Sequence, residues 1–181
     1  MTPRSRAIFG WELVGAAFIV ITGSSLHFVF DWLGGWRPVA LIAAVNESIW
    51  EHLKLAFWPG LLWAVLGNNR LALSLPERLA GKGFGLLVAA ALIVAIFRGY
   101  TAILGDNLLV LDIGTFVLAV VLGQMIAAAC SIWERTAPVL TKLGLALLAL
   151  QLVAYAVFTF HPPDFWLFVD GRTGLVGIPP R

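Results

Sequence analysis

Charge is scarce in this sequence. Asp, Glu, Lys and Arg make up 12% of the 181 residues, 60% are hydrophobic, and the mean hydropathy is +0.92. Soluble domains carry about 25% charged residues, so a water-soluble core is excluded. The formal charge of +2 is too small and too dispersed for a nucleic-acid-binding surface. The one cysteine, Cys130, excludes an internal disulfide and, within its apolar run, reads as a small buried hydrophobe. The long apolar runs lack the polar–apolar alternation of a membrane β-barrel, and there is neither an internal repeat nor a low-complexity tract. Arg4 and Arg6 precede an apolar run as in a secretory signal. That run continues past the usual signal length with Glu12 inside it, and so reads as a retained first span.

What the chain has instead is long apolar segments. Five of them, about 8–30, 46–66, 83–100, 107–132 and 138–160, approach or exceed the roughly 20 residues that a helix needs to cross a bilayer. The expected fold is an all-α, polytopic membrane bundle of five transmembrane helices in one domain over 1–181. The stretch 38–45 is apolar but too short to cross. It is either a re-entrant or interfacial segment, or a backward extension of the second helix. The link 67–82, with Asn68, Asn69 and Pro76, reads as a loop. The tail 161–181 follows the helix-ending pair Pro162-Pro163 and has turn signals at Asp170-Gly171 and Thr173-Gly174. It reads as an ordered, aromatic-rich cap able to fold over the outer mouth of the bundle.

Lys and Arg set the orientation. Arg4, Arg6, Arg70, Arg78, Lys82, Arg135 and Lys142 fall at one end of a five-helix arrangement. Arg37, Lys54, Arg98, Arg172 and Arg181 fall at the other. The bias puts the N-terminus in the cytoplasm and the C-terminus outside. All three histidines, His27, His52 and His161, then land at the outer end. So do Asp31, Glu47, Glu51, Asp106, Asp112, Asp164 and Asp170; of the acids only Glu12, Glu77 and Glu134 do not.

The densest polar stretch is Asn46-Glu47-Ser48-Ile49-Trp50-Glu51-His52-Leu53-Lys54. Ionisable groups at a membrane helix are costly and usually functional. A structural account exists for part of it. Asn46 or Ser48 can cap the helix, Ser48 and Glu51 have capping-box spacing, and Lys54 can pair with either glutamate. Capping does not account for His52, which points about 100° around the helix from Glu51. On the first helix Ser24, His27 and Asp31 share a face. Asp31 either orients the His27 ring or is simply the first solvated residue beyond the span. Arg98, near the outer end of the third segment, can reach lipid phosphates, neutralise a carboxylate or hold an anionic substrate. Asp112 lies inside an apolar run and calls for a partner, Arg98 or a histidine. Glu12 is isolated in the same way with no evident partner, while Gln124 and Gln151 can hydrogen-bond between helices.

Three stretches together carry a resemblance: His27 to Trp32; Val45-Asn46-Glu47-Ser48-Ile49-Trp50-Glu51-His52-Leu53-Lys54-Leu55; and His161-Pro162-Pro163 with Asp170, Thr173-Gly174 and Gly177-Ile178. The chain resembles a bacterial family of multi-pass membrane proteins known only as a domain of unknown function. The resemblance implies an integral protein of the bacterial inner membrane and lends no activity. A weaker similarity, of site composition only, is to the membrane hydrolases that include alkaline ceramidases. Those set a Ser, an Asp and three His around zinc. Ser24, Asp31, His27, His52 and His161 supply these types here, but that family has seven helices and a paired-His motif on the last, where this chain has five and His161 alone.

Three functions compete. The first is a metal-dependent hydrolase of a lipid or amphiphile at the outer leaflet. His27, His52 and His161 would bind zinc with Asp31 as fourth ligand or ring partner, Glu47 or Glu51 as general base and Arg98 on the substrate. The second is a non-catalytic membrane subunit or assembly factor whose outer cluster is an ion-paired knot. The third is an ion or proton transporter lined by Glu47, Glu51, Arg98 and Asp112. Its weak point is a cytoplasmic half with few polar groups.

Overall fold

The fold is described here from a computed structural model, over residues 1–133 and 138–180. Glu134, Arg135 and Arg181, which entered the charge count above, lie outside the described residues. The described residues form five α-helices: α1 (Pro3–Trp32), α2 (Ile49–Leu66), α3 (Leu75–Leu104), α4 (Leu109–Trp133) and α5 (Pro138–Phe160). Short 3-10 turns lie at Arg37–Leu41, Asn69–Leu71 and Trp166–Phe168.

Local chemistry moves two boundaries from where apolar run length puts them. The Thr2 hydroxyl accepts the Ser5 N–H at 3.1 Å, so α1 starts at Pro3. Pro76 does not mark a loop. It stands in the first turn of α3, where its missing N–H costs nothing, behind a reciprocal capping box of Ser74 and Glu77. Lys82 is therefore inside a helix and not in a connecting loop.

The stretch 38–45 is not a backward extension of α2. The 3-10 turn and the irregular residues after it bury Val39, Ala40, Ala43 and Val45 against Phe30 of α1. The turn therefore plugs the end of the bundle between the end of α1 and the start of α2.

α1, α3, α4 and α5 are long and apolar enough to cross a membrane. α2 is not among them, because its 18 residues include Glu51, His52 and Lys54 in the first two turns and Pro59 near the middle. It is sheltered instead. Leu53, Leu55, Ala56, Phe57, Gly60 and Trp63 are all buried, and α2 packs between α1 and α3.

α3 forms the spine, packing on α4 and α5. Small residues permit the approach: a Cβ at Gly83 would collide with the Gly144 carbonyl, and one at Gly85 with the Gly123 carbonyl. Dispersion between closely packed backbones is what holds helices together where the solvent is itself apolar. The end of α1, the start of α2, the end of α3 and the start of α4 gather around one cavity, so successive helices alternate in direction.

A second polar cluster lies deep at the opposite end. Lys82 donates to the Glu12 carboxylate and to the Gln124 side-chain carbonyl, and all three residues are buried. Glu12, isolated within its own apolar run, thus has its partner on another helix. The ion pair is hydrogen-bonded, as charges in a low-dielectric interior must be. Gln151 likewise bridges helices, donating to the Gly83 carbonyl at 2.9 Å.

Candidate metal centre

The irregular residues before α2 carry the first groups of the site. The Ser48 hydroxyl accepts the Glu51 N–H at 3.4 Å, and Asn46 Oδ1 accepts the Ser48 N–H at 2.9 Å. Ser48 therefore caps α2, while Asn46 takes the role that the acid of a capping box would play. Glu51 is engaged elsewhere. Its Oε2 accepts the Val45 N–H at 3.0 Å and pairs with Lys54 Nζ at 2.6 Å. Lys54 also donates to the Ala40 carbonyl at 2.7 Å and to Thr159 Oγ1 at 3.0 Å. All three ammonium donors are thus used, in a buried knot that ties α2 to the 3-10 turn and to α5.

Glu47 faces the other way. Its Oε2 lies 3.6 Å from His27 Nε2 and 3.5 Å from His52 Nε2, and the two ring nitrogens are 3.2 Å apart. His27 comes from the last turns of α1 and His52 from the first turn of α2. His52 Nδ1 donates to the Ser48 carbonyl at 2.8 Å. A carbonyl oxygen can only accept, so Nδ1 holds the proton, and in the neutral ring the Nε2 lone pair faces the cluster. Tetrahedral zinc ligands at ~2.0–2.1 Å stand roughly 3.3–3.4 Å from one another; the three observed separations fall close to that spacing. His27, Glu47 and His52 are the group of possible metal ligands among the described residues, all half-buried.

The tail holds Glu47 in this pose. Asp170 Oδ2 accepts the Glu47 N–H at 3.2 Å, and Asn46 donates to the Gly177 carbonyl at 2.8 Å. Asp170 Oδ1 takes the N–H groups of Arg172 at 2.7 Å and Thr173 at 2.9 Å. The turn closes on an antiparallel bridge between Val169 and Val176, and Phe168 packs on Trp50 with ring centroids 4.8 Å apart. Arg172 Nη1 lies 3.6 Å from Glu47 Oε1. One oxygen of the carboxylate thus faces the imidazoles while the other is held by the tail. Hydrogen bonding to His27, then to His52, holds the Glu47 carboxyl far below the usual carboxylate range. Burial alone would raise Asp170, but the N–H groups of Thr173, Glu47 and Arg172 outweigh it and leave its carboxyl lowered.

A cavity of about 630 Å³ lies beside the cluster. Ser24, His27, Glu47, His52, Asp112 and Arg172 are its polar wall residues together with Asn107 and Thr115; Leu55, Ile93, Phe97 and Phe116 are among the apolar ones. Asp112 accepts from the Tyr100 hydroxyl and from Asn107 Nδ2, the latter at 2.8 Å. The expected partner, Arg98 or a histidine, is replaced by these neutral donors. Arg98 lies against Trp166 of the tail, 4.8 Å from the ring centroid, as a cation–π contact, and not in the cavity wall.

The expected ligand set is thus redrawn. His161 stands just past the end of α5, exposed, outside the group of His27, Glu47 and His52. Asp31 is exposed at the end of α1 and is also outside the group. The carboxylate grouped with the two histidines is that of Glu47, and Glu51 is a partner of Lys54. Arg172 was counted above only for its charge. The turn signals at Asp170-Gly171 and Thr173-Gly174 are the sequence features that mark this part of the tail as ordered.

A family model, described as a family of unknown function (DUF6512), matches residues 2–178. Neither a curated protein nor a solved structure shows a match to the chain.

Proposed function

The chain belongs to the DUF6512 family of unknown function, and we propose from the site itself that it is a metal-dependent membrane hydrolase of a lipid or amphiphile. The observation that carries this reading is the convergence of His27 Nε2, His52 Nε2 and Glu47 Oε2 within 4.8 Å of one another on the wall of a largely apolar cavity. Two histidines and a glutamate are a known catalytic zinc set, open at the remaining position. A bound zinc ion would supply Lewis-acid polarisation and a water with a pKa near ~7.

The residues of this chain do the rest. Ser48 fixes the His52 tautomer, Asp170 and Arg172 orient Glu47, and the apolar walls exclude bulk water. Asp112, the other carboxylate of the wall, is the group available as general base. In this reading all five helices cross the bilayer, α2 inside the shelter of α1 and α3. The N-terminus is cytoplasmic, and the site opens at the outer face of a bacterial plasma membrane.

The test is metal analysis of purified protein, paired with hydrolysis assays on ester- and amide-linked lipids. Near one equivalent of zinc, lost in His27→Ala, His52→Ala and Glu47→Gln with any hydrolysis, is the expected result. No metal in the wild type, or metal that all three variants retain, overturns it.

A non-catalytic subunit is the second reading, favoured by the buried Glu51–Lys54 and Glu12–Lys82 ion pairs. It predicts a co-purifying complex and no hydrolysis. Transport is less well supported. The apolar layer of Ala16, Ile19, Ala56 and Val120 lies between the cavity and the Glu12–Lys82–Gln124 cluster, where a path would have to run.

A further inference from the structure

We infer that the cavity takes a single-chain amphiphile with an anionic head, its chain entering sideways from the bilayer between α1 and α4 and its head held by Arg172. The inference rests on the reading of the cavity as the substrate site and specifies what that substrate is.

The cavity has a closed floor and an open flank. Below Val20 of its wall, Ala16, Ile19, Ala56 and Val120 pack into a buried layer. Its flank includes Phe28 of α1, 52% exposed, and Leu109 and Ile113 of α4, 72% and 56% exposed. Large apolar side chains that line a cavity and also face outward are costly at an aqueous mouth, but not where the solvent is lipid. Ile113 lies only about 6 Å along α4 from Leu109 at the helix start, so this opening meets the outer part of a bilayer rather than its centre. An alkyl chain can therefore pass from the membrane into the cavity without crossing water.

The volume of about 630 Å³ is that of a pocket for one small ligand, ~300–1,000 Å³. One chain and a small head suit it better than a two-chain lipid. The head is chosen by the rim. Arg172 is the permanent cation among the described wall residues. Its guanidinium carries five N–H donors in a rigid fork, of which the structure places one nitrogen on Glu47. The side chain is 79% exposed, so the remaining donors are available to a phosphate or carboxylate lying over the His27–His52–Glu47 group. Bidentate capture of such anions is what an arginine fork does best.

The experiment uses the full-length protein in phosphatidylcholine nanodiscs with three photoactivatable probes of equal chain length. These are a lysophosphatidate, an uncharged monoacylglycerol and a two-chain phosphatidate. Labelled peptides are mapped, and zinc content is measured on the same preparations. Expected are labels on the α1 and α4 flank and preference for the lysophosphatidate over both others. Arg172→Gln should weaken that preference roughly tenfold or more, the value of a charge-assisted bond, while Arg172→Lys retains part of it. Ile113→Trp, at an exposed position that tolerates bulk, should block labelling by all three probes. Label confined to outward faces of α5, or a head preference unchanged in Arg172→Gln, overturns the inference. If zinc is still bound in that case, the metal reading stands alone. Flank labelling with the expected preference in protein that binds no zinc supports the inference and removes the metal reading.

Discussion

The Nε2 atoms of His27 and His52 face each other at 3.2 Å, from two helices whose histidines are separated by 25 residues of chain. Because His52 Nδ1 is committed to the Ser48 carbonyl, at most one proton fits between the two rings while both are neutral. Glu47 closes the third side. The arrangement turns two imidazole nitrogens and one carboxylate oxygen toward a common point.

Metal binding should therefore fall on acidification, since protons and metal compete for the same imidazole nitrogens. Asp170→Asn leaves the three candidate ligands in place but weakens the hydrogen bonding that positions Glu47. Its expected cost is about 10–100-fold in zinc affinity, typical of an outer partner, against a much larger loss for His52→Ala. Competition titration with a chromogenic chelator measures both.

The acid limb of stability should carry the mark of Glu47 and Asp170. Both carboxyls sit below their ordinary values of 4.5 and 3.8. A depressed folded-state pKa contributes stability that is fully present above the unfolded value and is lost as pH falls toward the folded one. The protein should thus lose stability as pH drops through about 5 to 3, and Glu47→Gln with Asp170→Asn should flatten that limb. Thermal unfolding in detergent across pH reads it out; an unchanged slope in the double variant would count against this coupling.

The Glu12–Lys82 pair should behave as a buried ion pair. Lys82→Met or Glu12→Gln alone leaves an uncompensated charge and is expected to cost about 3–5 kcal/mol. Combining the two removes both charges and should recover much of that loss. Additive losses in denaturant unfolding of the double variant would show that the two side chains do not stabilise each other.

The α3 interfaces should tolerate no side-chain growth. Gly83→Leu and Gly85→Leu force α3 off α5 and α4 respectively, and should lower the unfolding temperature or abolish expression. Gly114→Ala, where nothing lies within 4 Å of an added Cβ, should be neutral in the same assay.

The length and apolarity of its runs were enough to identify a helical membrane protein from the sequence alone, because the roughly 30 Å of hydrocarbon sets a length that composition reports directly. The gathering of polar residues at one end was legible too, since alternating helices return every second boundary to the same end. The string Asn46 to Lys54 was visible as the centre of that end. What spacing could not resolve was which of its groups face which neighbour.

Periodicity relates residues on one helix; it says nothing about how far one helix is rotated against another. Only the tertiary structure, by turning His27 and His52 toward each other, separated the ligand candidates from His161 and Asp31. It also sent Glu51 to Lys54 and Glu47 to the histidines, two acids four residues apart with opposite fates. The pairing of Glu12 with Lys82 across 70 residues, and of Glu47 with Arg172 from the far end of the chain, arises from helix packing. That packing is set by small residues such as Gly83 and Gly144, whose partners no local pattern names.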